Sequence, residues 1–202
     1  MQIAVSNIAW PPEQDDVVAA VLKKSGVSAI EIAPTKLHAE PTTLTADECR
    51  TIRRRWEDRG LPIVAAQSLL FGKPELTLFD SAAARAATLD YLKRIAAVCG
   101  SLGAGALVFG SPKNRRRNAM PIEEANQIAI DFFRELGVTA AKSGTCVVLE
   151  ANPVDYGADF VTRAAEALAL VQTVAHPGLQ LHLDAARRAD RREVRFAHVE
   201  MT

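Results

Sequence analysis

The stretch that decides the fold is Thr145-Cys146-Val147-Val148-Leu149-Glu150-Ala151-Asn152. Its apolar run leads into Glu150, and the proline that follows Asn152 ends any regular ladder. An unbroken apolar run is typical of a strand that is buried on both faces, as in a parallel sheet covered by helices. The same design returns in residues 179–184, LQLHLD, which end in Asp184. Two strands that each end in an acid predict a site at the carboxyl ends of a sheet, where α/β folds place their chemistry.

The composition indicates one soluble globular domain. The chain has 202 residues, is 49% hydrophobic and 24% charged, and carries 24 basic and 24 acidic residues. A chain of this length can bury a substantial core. A formal net charge of zero argues against a general nucleic-acid binder or a protein bound to membrane surfaces.

Cysteine usage and the N-terminal sequence bear on the compartment. Cys49, Cys99 and Cys146 are far apart and have no metal-ligand spacing, which is typical of buried thiols in a reducing environment. The N-terminus begins with a strand-like sequence, and no apolar run reaches the length of a transmembrane helix. We therefore expect a cytoplasmic protein.

Strand-like and helix-like segments alternate along the whole chain. Five βα units of roughly 30 to 40 residues precede a sixth strand, a period that predicts parallel pairing with right-handed crossovers. Local signals mark the helices. A capping box spans Thr45 to Glu48, Asp80 is expected to cap a long alanine-rich helix, and Val17 and Val21 belong to an apolar stripe on the first helix. A further helix is predicted from about residue 159 to 174.

Several strand ends carry a recognisable set of motifs. They are Ser6–Trp10, Glu31–Lys36, Gln67–Gly72, Val108–Arg115, Leu149–Pro153 and Leu181–Asp184. As a set, these segments resemble the sugar phosphate isomerase/epimerase family of the xylose isomerase-like TIM barrels, which are (β/α)8 barrels. The resemblance covers about residues 1 to 184 of a single domain, 1–202, and leaves a divergent tail, 185–202.

The resemblance implies a divalent metal at the strand ends. The family typically holds it with a Glu on strand five, an Asp on strand six, a His on strand seven and a Glu on strand eight. The first two correspond to Glu150 and Asp184, and Glu150 is also the expected catalytic base. Hard oxygen ligands suit Mg²⁺ or Mn²⁺, and Zn²⁺ or Co²⁺ are alternatives.

The chain departs from the family pattern after strand six. A (β/α)8 barrel usually needs about 250 residues, and 18 residues follow Asp184. We therefore expect an α/β barrel that is C-terminally shortened to about six βα units. His198 or Glu200 could restore a ligand if the tail folded back or a second subunit supplied it. Open edges also predict a homo-oligomer.

Polar residues at other strand ends are candidates for substrate binding. Lys113, Asn114 and Arg115 follow strand four and could grip a phosphate or carboxylate, although a solvated basic loop is the commoner meaning of such a run. Further candidates lie at or near the ends of strands one, two, three, five and six. They are Asn7, Glu31, Gln67, Asn152 and His182. Each could instead hydrogen-bond the barrel rim or sit in the interior.

The resemblance implies a metal-dependent isomerase or epimerase of a small sugar or sugar phosphate, which works by proton transfer through an enediolate. One alternative is a catalytically impaired barrel that acts as a binding or assembly protein. Another is a phosphodiesterase like the apurinic-site endonucleases, which would need several zinc-binding histidines. Only four histidines occur in the chain, which disfavours this second alternative.

Overall fold

The computed structural model describes residues 2–184. Its strands follow the chain order. They are β1 (Ala4–Ser6), β2 (Ala29–Ile32), β3 (Ile63–Ala66), β4 (Ala106–Phe109), β5 (Cys146–Glu150) and β6 (Leu179–His182). The helices connect these strands. They are α1 (Asp15–Lys24), α2 (Pro34–Leu37), α3 (Ala46–Asp58), α4 (Ala82–Leu102), α5 (Ile122–Lys142) and α6 (Ala164–Val174).

The six strands form one sheet in which all neighbours are parallel and the spatial order is β1-β2-β3-β4-β5-β6. This confirms the predicted α/β class and the order of the units. β5 and β6 are adjacent, with Leu149 opposite Leu181 and Glu150 opposite His182. The register therefore brings the two acid-bearing strand ends to the same edge, as the repeated pattern predicted.

The core lies between the sheet and its helices. Val147, Leu149 and Phe109 of the central strands are buried, and the Phe109 ring packs edge-to-face on Phe133 of α5 with centroids 5.3 Å apart. Such aromatic pairs add to the stabilisation that comes from burying apolar area. The apolar run of β5 is thus covered by helix α5, which holds the carboxyl end of this strand in place.

Two helix starts show what local sequence does and does not specify. The capping box of α3 is confirmed, since Thr45 Oγ1 accepts from the Glu48 backbone N–H and the Glu48 carboxylate accepts from the Thr45 N–H. The predicted cap of α4 is wrong by one residue. Ser81, not Asp80, is the N-cap, and its Oγ accepts from the Ala84 N–H at 3.0 Å.

The predicted start of α6 near residue 159 is also wrong. The helix begins at Ala164 because Asp159 serves a neighbouring loop, where its carboxylate accepts from the backbone N–H groups of Arg117 and Asn118 at 2.7 and 2.9 Å. Val161, with φ of 53°, then takes a left-handed conformation that no α-helix accommodates.

Within the described residues, only part of the apolar stripe on α1 packs against the core. Val18 and Leu22 pack against the core, whereas Val17 and Val21 are 70% and 56% exposed. In residues 2–184, β1 pairs only with β2 and β6 only with β5. The predicted tail segment, His198 and Glu200 lie outside the described residues.

Neither of the two longest helices, α4 and α5, is apolar enough to cross a membrane, and the same holds for every other helix in residues 2–184.

Candidate functional site at the carboxyl ends of the strands

A cavity of about 320 Å³ opens at the carboxyl ends of the strands. It is lined by Glu31, Gln67, Ser68, Val108, Gly110, Ser111, Glu150, His182 and Asp184. Glu31 of β2 and His182 at the end of β6 meet in this one cavity, so the sheet curls as a barrel wall does. The predicted carboxylates Glu150 and Asp184 both lie here.

A larger cavity, of about 430 Å³, lies between α5 and α6 on the outside of the sheet. The charged side chains that line this larger cavity form hydrogen bonds with neighbouring residues. Arg117 donates to the Asp159 and Met120 carbonyls, and Glu166 accepts from Arg163 and from the Thr162 N–H. The strand-end cavity is the better candidate because its carboxylates converge from separate strands.

The carboxylate of Glu150 is held by the residues around it. Asn152 Nδ2 donates to Glu150 Oε2 at 3.1 Å. Gly110, at the end of β4, leaves the space that this carboxylate fills, since a Cβ at position 110 would clash with Glu150 Oε2 and crowd Asn152 Oδ1. A side chain at position 110 would therefore push the Glu150 carboxylate out of its present position.

A buried arginine stands behind Asn152. Arg115 is 0% exposed, and its Nη2 donates to Asn152 Oδ1 at 2.9 Å and to the Val161 carbonyl at 3.4 Å. Arg115 therefore does not line the cavity in the way that the predicted anion-binding role requires. Its guanidinium donates to acceptors of the protein itself, and the Asn152 side chain connects it to Glu150.

The opposite wall of the cavity is formed by β1 to β3. Gln67 Nε2 donates to Ser6 Oγ at 2.7 Å and also to Glu31 Oε2. Burial raises the pKa of Glu31, and the charge of Glu150 adds to this, while the Gln67 hydrogen bond and the nearby His182 lower the pKa. Burial is therefore the main reason why the pKa of Glu31 is raised.

The remaining candidates lie away from the cavity. Asn7 is 4% exposed, and its Oδ1 accepts from the Ala33 N–H at 2.8 Å, so it links the ends of β1 and β2. Asn114 Nδ2 donates to the carbonyls of Lys73 and Leu76 at 2.9 and 2.8 Å. Lys113 is exposed on the same loop, and its role as an anion ligand stays a prediction.

Two serines in the cavity wall were not singled out from the sequence. Ser68 and Ser111 have φ of 56° and 41°, a left-handed conformation that is uncommon outside glycine. Such backbone is often found at functional sites, where the surrounding structure enforces it. The signal that could have found them is their place in the strand-end motifs Gln67–Gly72 and Val108–Arg115.

The donor set fits a divalent cation in part. Glu150 and Asp184 offer hard oxygen ligands to one cavity. In the portion of the chain that the structure describes, no three His, Cys, Asp or Glu side chains form a group that could hold a metal ion. The two carboxylates can supply two positions of a metal's coordination sphere, and their role as metal ligands stays a prediction.

Comparison with known sequences decides the family. The profile of the xylose isomerase-like TIM barrel matches residues 19–188. The chain belongs to this family. No curated protein sequence matches this xylose isomerase-like barrel.

Solved structures with the same fold include several sugar epimerases. A D-psicose 3-epimerase crystallised in the presence of D-fructose superposes with a TM-score of 0.69 at 18% identity, over 90% of this chain and 62% of the epimerase. The 3-keto-D-glucoside 4-epimerase YcjR from E. coli gives a TM-score of 0.66 at 19% identity, over 90% and 67%. A structure of the IolI protein with a binding zinc atom gives 0.64 at 17% identity, over 90% and 62%. At these identities the likeness establishes the fold.

The xylose isomerase-like barrel described here thus spans about 62% of the length of the psicose epimerase that it resembles. The match to the family profile and the six parallel strands establish the family and the fold of this chain.

Proposed function

We propose that this xylose isomerase-like barrel is a metal-dependent isomerase or epimerase of a small sugar or sugar phosphate. The observation that carries the proposal is the convergence of Glu150 and Asp184, from neighbouring strand ends, on one cavity that also contains Glu31. Three carboxyl groups from separate strands suit a polyhydroxy substrate, and structures with the same fold include epimerases of sugars.

Glu150 takes the proton in this proposal. A carboxylate beside a bound ketose can remove the proton from the carbon next to the carbonyl, which leaves an enediolate of the sugar. Asn152 donates to one Glu150 oxygen and so orients the carboxylate toward the cavity. Return of the proton from Glu150 to the former carbonyl carbon gives the isomer. Epimerisation instead requires a second acid, on the opposite face of the same carbon, to donate a proton there while Glu150 keeps the one it removed.

Glu150 and Asp184 would hold the divalent cation, with Mg²⁺ or Mn²⁺ the expected class and Zn²⁺ or Co²⁺ as alternatives. When bound, such a cation polarises the substrate carbonyl and makes the adjacent C–H more acidic. Other residues of the cavity would bind the substrate. Glu31 and Gln67 offer a carboxyl and an amide to sugar hydroxyls from the other wall, and His182 lies beside Asp184.

The burial of Arg115 bears on the choice between a free sugar and a phosphorylated one. Of the three residues predicted to grip a phosphate, Arg115 is buried, Asn114 holds a neighbouring loop, and Lys113 is exposed. One lysine is weaker support for a phosphate than the predicted cluster. We therefore favour an unphosphorylated ketose.

Proton exchange in D₂O tests this function before any turnover is sought. D-Fructose and D-fructose 6-phosphate are incubated with the protein and Mn²⁺, and deuterium incorporation next to the carbonyl is measured by NMR. We expect incorporation into the free sugar that is lost in Glu150→Gln and kept in Glu124→Gln, a surface control on α5. Exchange that survives Glu150→Gln would contradict the proposal.

The exchange experiment, together with a Mn²⁺ titration, also decides the first alternative function. Mn²⁺ binding without any exchange on either sugar would favour the binding or assembly protein. An endonuclease-like phosphodiesterase has less support, because His182 is the one histidine that lines the strand-end cavity in residues 2–184. We propose no nucleic-acid or membrane partner.

Self-association remains part of the proposal. Val17 and Val21 on α1 are exposed, and apolar side chains on a helix favour a packed neighbour. We expect sedimentation at micromolar concentration to show a homo-oligomer, and we expect Val17→Glu with Val21→Lys to shift it toward the monomer. A wild-type protein that sediments as a monomer would contradict this expectation.

A further inference from the structure

Among residues 2–184, Arg115 is the one charged side chain that is completely buried. It ends the short 3-10 turn Pro112–Arg115 that follows β4. A buried cation is costly unless it is well hydrogen-bonded. The position of Arg115 therefore calls for a reason beyond a solvated basic loop, and its contacts supply one.

The contacts form a directed chain from Arg115 to Glu150. Arg115 Nη2 donates to Asn152 Oδ1 at 2.9 Å, and Asn152 Nδ2 donates to Glu150 Oε2 at 3.1 Å. A guanidinium can only donate hydrogen bonds, so the amide oxygen of Asn152 must face Arg115. The amide nitrogen then faces the carboxylate. The arginine thereby selects the orientation in which Asn152 donates to Glu150.

The backbone around Asn152 is fixed by the same arginine. The Val161 carbonyl accepts from Arg115 Nη2 at 3.4 Å and from the Asn152 N–H at 3.1 Å. Val161 is β-branched and has φ of 53°, a strained conformation that persists only where its surroundings enforce it. Asn152 itself is 1% exposed, so its amide has little room to rotate.

We propose that Arg115 is a positioning residue that acts through Asn152 to fix the orientation of the Glu150 carboxylate. Arg115 thereby belongs to the working site without touching substrate or metal. The inference deepens the proposed function, because it rests on Glu150 being the working carboxylate. The hydrogen-bond chain can nevertheless be measured in the metal-free protein.

The first measurement uses NMR of the metal-free protein. The side-chain amide signals of Asn152 and the carboxyl carbon of Glu150 are compared in wild type, Arg115→Met and Glu150→Gln. We expect Arg115→Met to move both sets of signals and Glu150→Gln to move the Asn152 amide. Arg116→Met, a change at the adjacent exposed arginine, should move neither.

The second measurement is Mn²⁺ affinity by calorimetry. Loss of a residue that orients a metal ligand typically weakens metal binding about ten- to a hundredfold. We expect a loss of this size in Arg115→Met, a smaller loss in Arg115→Lys, and no change in Arg116→Met. If Arg115→Met does not fold, Arg115→Lys serves as the variant, since it keeps the buried charge and one donor group.

The outcomes separate this inference from the proposed function. Folded Arg115 variants in which the signals of Asn152 and Glu150 stay at their wild-type positions would overturn it. Moved signals with unchanged Mn²⁺ affinity would overturn it too, because the contact would then not orient the carboxylate. If the wild type binds no Mn²⁺, the metal part of the proposed function fails, and the Glu150 carboxyl signal alone decides whether Arg115 positions it.

Discussion

The two walls of the strand-end cavity are built differently. On the β4–β5 wall, Glu150 is backed by Asn152 and by the fully buried Arg115, and Gly110 makes room for its carboxylate. On the β1–β3 wall, Glu31 is held by the neutral amide of Gln67.

This difference indicates which of the two carboxylates the fold holds in a fixed orientation. Both carboxylates accept from an amide, but the amide that holds Glu150 is itself oriented by a buried guanidinium, which pre-organises this carboxylate for binding or proton transfer. Glu31 has a raised pKa because burial disfavours its charge. We infer that the β4–β5 wall carries the chemistry and that the β1–β3 wall adapts to the substrate.

The largest effect is expected from filling the space beside Glu150. Gly110→Ala places a Cβ against Glu150 Oε2 and near Asn152 Oδ1. We expect it to abolish Mn²⁺ binding by pushing the Glu150 carboxylate aside, and to lower the free energy of unfolding by at most about 1 kcal/mol, the low end for overpacking, because that carboxylate can move. Chemical denaturation and calorimetry measure the two effects.

Gly105→Ala is the matched control, because a Cβ there would meet only the Val64 carbonyl at an ordinary 3.7 Å. Equal behaviour of the two alanine variants would mean that the Gly110 contact does not shape the site.

The next effect concerns Asn7, which is buried like Asn152 but does not contact Glu150 in the contacts described above. Asn7→Ala removes the acceptor of the Ala33 N–H and should cost about 1 to 3 kcal/mol of stability, while Mn²⁺ affinity stays at the wild-type value. Asn7→Asp keeps an oxygen acceptor and should recover most of the loss. A large fall in Mn²⁺ affinity in Asn7→Ala would show that this wall also serves the metal.

The smallest effect concerns the charge of Glu31. A pKa raised above the ordinary value means that the folded protein binds the proton more tightly than the unfolded chain does. The stability contributed by this group is therefore lost as the pH rises from the ordinary glutamate value through the raised one. Glu31→Gln should raise the melting temperature at pH 7 and have little effect at pH 4.

Glu48 provides a control of opposite sign. Hydrogen bonds from Thr45 lower the pKa of Glu48, so its contribution is present at pH 7 and lost as the pH falls through the lowered value. Glu48→Gln should therefore lower the melting temperature at pH 7 more than at pH 4. If both variants shift it in the same direction at pH 7, the burial of Glu31 is not what controls its charge.

The sequence predicted the parts of this molecule that depend on local pattern. The apolar run before Glu150 and its repeat before Asp184 specified two adjacent parallel strands, and the structure confirms that pairing. The capping box at Thr45 was equally local and is confirmed. The strand-end position then placed both acids at one edge, because carboxyl ends of parallel strands meet there.

Tertiary pairing explains what the sequence could not reveal. Arg115 stands in a run of basic residues that resembles a solvated loop, and only its contact with Asn152 shows that it is buried. The helix predicted to start at Asp159 was wrong because this carboxylate accepts from the backbone of Arg117 and Asn118. These residues lie about forty positions away in the sequence, so local pattern does not reveal the contact. Likewise, the exposure of Val17 depends on which helix, if any, packs beside α1.

The central claim is that Glu150 and Asp184 form one metal site at the carboxyl ends of β5 and β6. Calorimetric titration of Mn²⁺ into wild type, Glu150→Ala and Asp184→Ala, with Glu31→Ala as the control from the opposite wall, tests it most directly. We predict weak, saturable binding to one site that disappears in each of the first two variants and persists in Glu31→Ala. Binding that survives both Glu150→Ala and Asp184→Ala would contradict the account.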